Sequence, residues 1–279
     1  MEEKVKKLKR KANEIRKLII RMTTCAGSGH PGGSLSATDI ITTLYFEVMR
    51  HDPKNPNWED RDRFHLSKGH CCPALYAVLA LCGYFPIDEL WSLRKLNSKL
   101  QGHPDRRTPG IEVASGSLGQ GLSVALGMAL AAKIDNKDYR VYCLMGDGEI
   151  QEGNIWEAAM AASHYKLDNL CGIVDYNRFQ IDGRTEDIMN LEPIVNKWEA
   201  FGWHVIECDG HNFQELLESF KTAKSIKLKP TVIIAHTVKG KGVSFMEHVV
   251  DFHGRAPTQK ECDIALKELE DLDKLDSQL

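Results

Sequence analysis

The sequence predicts an α/β fold: a mostly parallel sheet with helices on both faces. Three observations lead there. Residues 140–145, 170–175, 204–208 and 231–237 are short apolar runs carrying β-branched residues without strict alternation, the pattern of strands covered on both faces. Helical patterns lie before and between these runs, and strands alternating with helices of such length build a parallel sheet. No stretch rich in Pro, Gly or Ser cuts the chain, so residues 1–279 are expected to form a single unit.

Taken in order, the first element is a helix over about residues 1–25. Leu8, Ala12, Ile15, Leu18, Ile19 and Met22 recur at helical spacing, and the basic run from Lys4 to Lys17 forms its solvated face. A chain starting with Glu2-Glu3, with no apolar segment or small-residue cleavage site behind it, does not read as a targeting peptide. Helices follow over 35–49 and 73–81. The longest apolar stretch, 118–134, is interrupted by Gln120, Ser123, glycines and a lysine. It is therefore expected as a buried helix over 118–133, not as a membrane span. Helices over 155–165 and 213–225 separate the later strands. A charged helix over 259–279 closes the chain as a surface or partner-facing element.

Composition narrows the function classes. With 42% hydrophobic and 27% charged residues over 279 positions, the chain is neither disordered nor fibrous. A net charge of −3 gives no reason to expect nucleic acid or an anionic membrane as partner. The eight cysteines form no Cys-x-x-Cys pair and no zinc knuckle. Most lie in apolar runs, as Cys143 and Cys171 do, where a thiol behaves as a small hydrophobe; this points to a reducing, cytoplasmic compartment.

In an open parallel sheet, ligands bind beyond the carboxyl ends of the strands. The 140–145 strand runs into Gly146-Asp147-Gly148, and the next ends at Asp175 ahead of Tyr176-Asn177-Arg178-Phe179. Asp147 and Asn177 thus reach the same sheet edge, beside glycines that let a ligand approach the backbone. A carboxylate, a carboxamide oxygen and a backbone carbonyl near Phe179 form a hard-oxygen set suited to Mg²⁺ or Ca²⁺ bridging to phosphate. With no Cys or His in it, the set does not suit zinc. Alone, Gly-Asp-Gly reads equally well as a tight turn after a strand.

The longer stretch is more specific. From Gly146 the chain reads G-D-G-E-I-Q-E-G-N-I-W-E-A-A-M-A-A-S-H-Y-K-L-D-N-L, then D-Y-N-R-F-Q-I-D-G. It resembles the thiamine-diphosphate enzymes, and the transketolase family among them. The loops Ser28-Gly29-His30-Pro31-Gly32, Leu66-Ser67-Lys68-Gly69-His70, Gly102-His103-Pro104, Gly116-Ser117-Leu118-Gly119-Gln120-Gly121, Lys239-Gly240-Lys241-Gly242 and His253-Gly254 resemble further elements of that family in its order. The resemblance runs over residues 27–254.

The resemblance implies thiamine diphosphate held with Mg²⁺, for which Ca²⁺ or Mn²⁺ could substitute. Asp147, Asn177 and the carbonyl of Phe179 would hold the metal. Gly146, Asp147, Gly148 and His70 would contact the diphosphate, Gly116 and Leu118 would approach the cofactor, and Ile181 would pack on its rings. His30, His103 and His253 would surround the reactive carbon and the sugar hydroxyls, with His253 also touching cofactor. An imidazole suits two-way proton transfer near neutrality. Glu152 is counted among the cofactor-binding residues, and it and Glu157 would lie towards a subunit interface; a carboxylate stabilised at a helix start is the lesser alternative for either. His51, His65, His164, His204, His211, His236 and His248 receive no catalytic role.

Transketolase-like chemistry also needs a pyrimidine-binding domain, and nothing in these residues reads as one. The expected protein is therefore the N-terminal subunit of a split transketolase. It would move a two-carbon ketol unit from a ketose phosphate to an aldose phosphate, in an α₂β₂ assembly with a C-terminal subunit. Ser117 and Gly33-Ser34-Leu35-Ser36 depart from the G-P-L-G-Q-G and A-P-L-G of long transketolases, which leaves open unusual or sulfonated sugars. The rivals are an α subunit of a 2-oxo acid dehydrogenase, a non-catalytic module of the same fold, and a Rossmann dinucleotide binder. The last lacks its Gly-x-Gly-x-x-Gly turn.

Overall fold

The structure, a computed structural model, describes residues 1–278; Leu279, the last residue of the predicted closing helix, lies outside the described residues. Five parallel strands form the sheet: β1 (Arg63–Leu66), β2 (Val141–Gly146), β3 (Leu170–Tyr176), β6 (His204–Asp209) and β7 (Thr231–His236). Their spatial order is β1-β2-β3-β7-β6. A two-residue hairpin, β4 (Phe179–Gln180) with β5 (Gly183–Arg184), projects beyond β3.

Alternation along each strand divides the core in two. Tyr142, Leu144, Cys171, Ile173, Ile233 and Ala235 face one side. There they meet α1 (Glu2–Ala26), α2 (Pro31–Thr43), α3 (Cys72–Cys82) and α8 (Phe213–Ser225). Val141, Cys143, Met145, Val174, Val232 and Ile234 face the other. Their partners are α4 (Gly121–Ile134), α5 (Gly153–His164) and α7 (Ile194–Ala200). Every strand residue of β2 and β3 is buried, as expected for a sheet sandwiched between helices. A short helical turn, α6 (Thr185–Ile188), follows the hairpin. The closing helix α9 (Gln259–Gln278) lies back on α1, where Asn13 donates to the Leu269 carbonyl at 2.7 Å.

Several boundaries depart from the sequence expectation. β1 is not among the expected strands: four residues alternating basic and apolar are too short to show a period. β6 is expected to be covered on both faces, but it is the sheet's edge and only Cys208 is buried. The helix expected over 35–49 starts at Pro31, with His30 as its N-cap, and gives way at Leu44 to a π-turn ending at Val48. Proline at the first helical position lacks an N–H that would be unpaired there anyway. All thirteen residues of α2 are buried, six of them polar or charged. Four of these polar side chains are satisfied within the helix: the hydroxyls of Ser34, Thr38, Thr42 and Thr43 donate to carbonyls four residues back. The helix expected from 118 starts at Gly121, because residues 118–120 form the turn that meets Glu149. Six of the eight cysteines are buried; Cys25 is exposed and Cys82 half-buried. Among the described residues no helix is long and apolar enough to cross a membrane.

Candidate active site

Loops after β1, β2, β3 and β7 converge beyond the carboxyl edge of the sheet around a cavity of about 340 Å³. The structure brings every predicted site residue to its wall. These are His30, His70, His103 and His253; Gly116, Leu118 and Ile181; Gly146, Asp147, Gly148 and Glu152; and Asn177 with Phe179. Glu157 does not line it; it is exposed on α5.

The four histidines form one cluster. His30 lies 5.2 Å from His70, 5.6 Å from His253 and 6.3 Å from His103 between ring centroids. His70 and His253 stack at 5.2 Å. Burial pulls His30 down to about 4, helped by the Arg94 charge. It pulls His253 down to about 3 together with Lys239. Burial and Lys68 hold His70 well below the ordinary value, and burial and Arg94 lower His103. All four imidazoles are therefore neutral at pH 7, able to accept a proton or a hydrogen bond. The Nδ1 of His30 is buried without a partner in the chain, the kind of atom a bound ligand satisfies.

A polar floor lies beneath them. Asp147 accepts the Gly148 amide at 2.8 Å through one carboxylate oxygen and the Arg178 amide through the other. Asn177 Oδ1 accepts the Phe179 amide at 3.1 Å. Burial, reinforced by the charge of Asp175, pushes the Asp147 carboxyl up to about 7. A cation beside it would reverse that cost. Among the described residues no group of three His, Cys, Asp or Glu side chains is placed to hold a metal. A cation here would draw on Asp147, the Asn177 amide oxygen, a main-chain carbonyl and ligand phosphate, a donor set that fits Mg²⁺.

Four residues to which the sequence alone assigns no role complete the floor. Lys68 and Asp175 form a fully buried ion pair, and Asp175 also accepts from the hydroxyls of Ser36 (2.6 Å) and Thr237. Burial opposes the charge on Lys68, but Asp175 outweighs it and raises the lysine. Lys239, 1% exposed, donates to His253 Nδ1 at 2.9 Å. Burial, with Lys68 beside it, lowers Lys239 to about 8. Glu149 ties three loops together, accepting from the Ser67 hydroxyl and from the amides of Gly119 and Gly146, each 3.0 Å away. One signal did exist in the sequence: Asp175 is a charged residue ending an otherwise apolar strand. Lys68 and Lys239 carried none, since a lysine in a glycine-bearing loop ordinarily reads as solvated. Two buried lysines on the cavity wall suit an anionic ligand, while the Gly119, Gly146 and Gly148 amides beside them are already taken by Glu149 and Asp147.

The sequence profile described as "Transketolase, thiamine diphosphate binding domain" matches residues 7–270. The chain belongs to the transketolase family. It is 49% identical over 264 residues to the 6-deoxy-6-sulfo-D-fructose transketolase subunit SqwG of Clostridium sp. strain MSTE9, covering 94% of this chain and 96% of that one. It is 45% identical to one subunit of the apulose-4-phosphate transketolase of Phocaeicola vulgatus, with 98% of each chain covered. Among solved structures, the transketolase of Campylobacter jejuni superposes with a TM-score of 0.90 at 37% identity, over 94% of this chain. The match takes in 42% of that longer transketolase, so this chain spans about two-fifths of its length and corresponds to its thiamine-diphosphate-binding part.

Proposed function

We propose that this chain is the N-terminal, diphosphate-binding subunit of a split transketolase. It would transfer a two-carbon ketol unit from a ketose phosphate to an aldose phosphate, in the cytoplasm. The observation carrying this reading is the convergence of four neutral histidines with the Asp147–Asn177 pair on one cavity. The near-complete coverage of relatives called transketolase subunits supports it.

Thiamine diphosphate bound there with Mg²⁺ supplies a nucleophilic thiazolium carbon and an electron sink. This chain's residues bind, orient and move protons. Asp147, Asn177 and the Phe179 carbonyl hold the metal, while His70 takes the diphosphate beside the 146–148 turn, whose Gly146 and Gly148 amides are given to Glu149 and Asp147. Gly116 leaves room for close backbone approach, and Leu118 and Ile181 offer apolar surface to the rings. His30, His103 and His253 accept and return the hydroxyl proton that moves as the donor's carbon–carbon bond breaks. Being neutral at pH 7 they can accept a proton, and burial, which lowers His30 and His253 to about 4 and about 3, makes them weak bases that readily return it. Lys239, beside His253, adds positive charge next to the reacting hydroxyls.

In this reading a second polypeptide supplies the pyrimidine-binding domain in an α₂β₂ assembly, as the subunit names of the relatives suggest. The test is to assay the purified chain alone and mixed with a candidate pyrimidine-domain subunit from the same genome. Donors would be xylulose 5-phosphate and the two sugars that give the relatives their names. Activity should appear only in the mixture and depend on thiamine diphosphate and Mg²⁺. Full activity from this chain alone would sink the split-subunit reading. Turnover of a 2-oxo acid with an electron acceptor, or no rate gain with any partner, would replace it.

A further inference from the structure

Two polar side chains of α2 reach away from their own helix. Ser36 serves Asp175 at the cavity. Asp39, three residues on and buried, accepts through one oxygen from Arg16 Nη2 at 2.6 Å and from His211 Nδ1 at 2.7 Å. Both partners extend to a single loop. The Val238 amide donates to His211 Nε2 at 2.8 Å, and Arg16 Nε donates to the Lys241 carbonyl at 3.1 Å. Between those two handles sits Lys239, whose ammonium group reaches His253.

The geometry fixes the state of His211. A backbone amide can only donate, so Nε2 accepts, and the ring proton lies on Nδ1, where it is given to the Asp39 carboxylate. The ring is a neutral spacer of one tautomer, 12% exposed, with a carboxylate on one side and the loop on the other. The loop is also tied at its centre, where the Gly240 amide donates to the Gly32 carbonyl at 2.9 Å. Gly240 has φ +83°, and a Cβ there would lie 2.2 Å from the Met246 carbonyl oxygen. Within the loop the Lys241 amide donates to the Val238 carbonyl at 3.2 Å and the His248 amide to the Lys239 carbonyl at 2.9 Å. His211, Arg16 and Gly32 are the ties that fix this folded loop against the rest of the molecule.

We infer that His211 is a positioning residue that clamps residues 238–241 to α2 and so sets Lys239 against His253. The inference rests on the proposed function only for the use made of Lys239; the clamp itself is a property of this chain.

The test uses the full chain without cofactor or partner, as wild type, His211→Phe and His211→Gln. Phenylalanine removes both bonds, whereas the glutamine carboxamide can donate to Asp39 and accept from Val238. Two readouts are followed by NMR. In His211→Phe the Val238 amide should exchange roughly tenfold faster, the protection expected of one hydrogen bond of ordinary net strength, while the Ile233 and Ile234 amides of β7 keep their rates. His253 is faced by Lys239, Lys68, His30 and His70, with Asp251 and Arg255 nearby in its own segment. Release of Lys239 should make His253 titrate at higher pH than in wild type. His211→Gln should restore both readouts. The inference is overturned if His211→Phe leaves both unchanged, if all amides accelerate together, or if glutamine does no better than phenylalanine. Any of these results leaves the transketolase reading standing.

Discussion

At the scale of single residues, the site is built from groups that folding holds in one protonation state. His65 shows the consequence most simply, because it lies on β1 behind the cavity and is 3% exposed. Burial lowers it to about 4 from an ordinary 6.5. Between those values the unfolded chain holds the extra proton and the folded chain does not. The contribution of neutral His65 to stability is therefore complete above about pH 6.5 and lost as pH falls towards 4. The loss between pH 7 and 5 is on the order of 2 kcal/mol. His65→Leu should lose less stability over that interval than wild type, as measured by urea midpoints at the two pH values. An equal loss in both would mean that His65 takes up its proton alike in the folded and the unfolded chain. The sequence made the residues with unusual neighbours legible: His30, His70, His103 and His253 each stand beside glycine in a polar loop, and all four meet at the cavity. It could not expose Lys68, Lys239 or Glu149, whose importance lies in what they touch across the fold. A buried charge is recognised by its partner, and partners this distant in sequence leave no local pattern.

At the scale of elements, the fit of α4 onto the end of β1 sets the loops that line the cavity. Gly121 begins α4, and a Cβ there would lie 2.1 Å from the Ser67 hydroxyl oxygen and 2.4 Å from its Cβ. Ser67 in turn donates to Glu149, which holds the Gly119 and Gly146 amides. Gly121→Ala should destabilise the chain by about 1–3 kcal/mol through overpacking, and should weaken thiamine-diphosphate binding because Ser67 must move. Gly127, two turns along α4, has nothing within 4 Å of its added Cβ. Gly127→Ala should therefore stabilise by up to about 1 kcal/mol on helix propensity alone. Chemical denaturation of the two variants separates close approach from helix propensity; similar changes in both would refute the packing account. The main strands and helices were legible because each is long enough to show its period. What escaped was short or depended on position in the sheet: β1 has four residues, and the edge place of β6 follows from topology, which local hydropathy does not encode.

At the scale of the whole molecule, the cavity is assembled from segments spread between His30 and His253 and carried by loops at one edge of a five-stranded sheet. A ligand filling it would touch α2, the loops after four strands and the short helix before Gly254 at once. The free energy of binding would then appear as stability of the folded chain as a unit. Thiamine diphosphate with Mg²⁺ should raise the thermal midpoint, by an amount equivalent to about 2.7 kcal/mol when free ligand stands at a hundred times its Kd. Chelation with EDTA should remove most of the gain, because the carboxylate, the amide oxygen and the diphosphate share the cation. Asp147→Asn removes the negative charge offered to the metal and leaves one neutral amide oxygen, which can accept only one of the two amides, Gly148 and Arg178, that the carboxylate holds. It should show little Mg²⁺-dependent rise in midpoint while keeping a smaller response to thiamine diphosphate alone, through His70 and the buried lysines. Differential scanning calorimetry of both proteins, with and without Mg²⁺, gives the comparison directly. An Asp147→Asn chain that gains as much from Mg²⁺ as wild type would remove Asp147 from the metal site. The diphosphate-binding part of the proposal would then rest on Lys68, Lys239 and His70 alone.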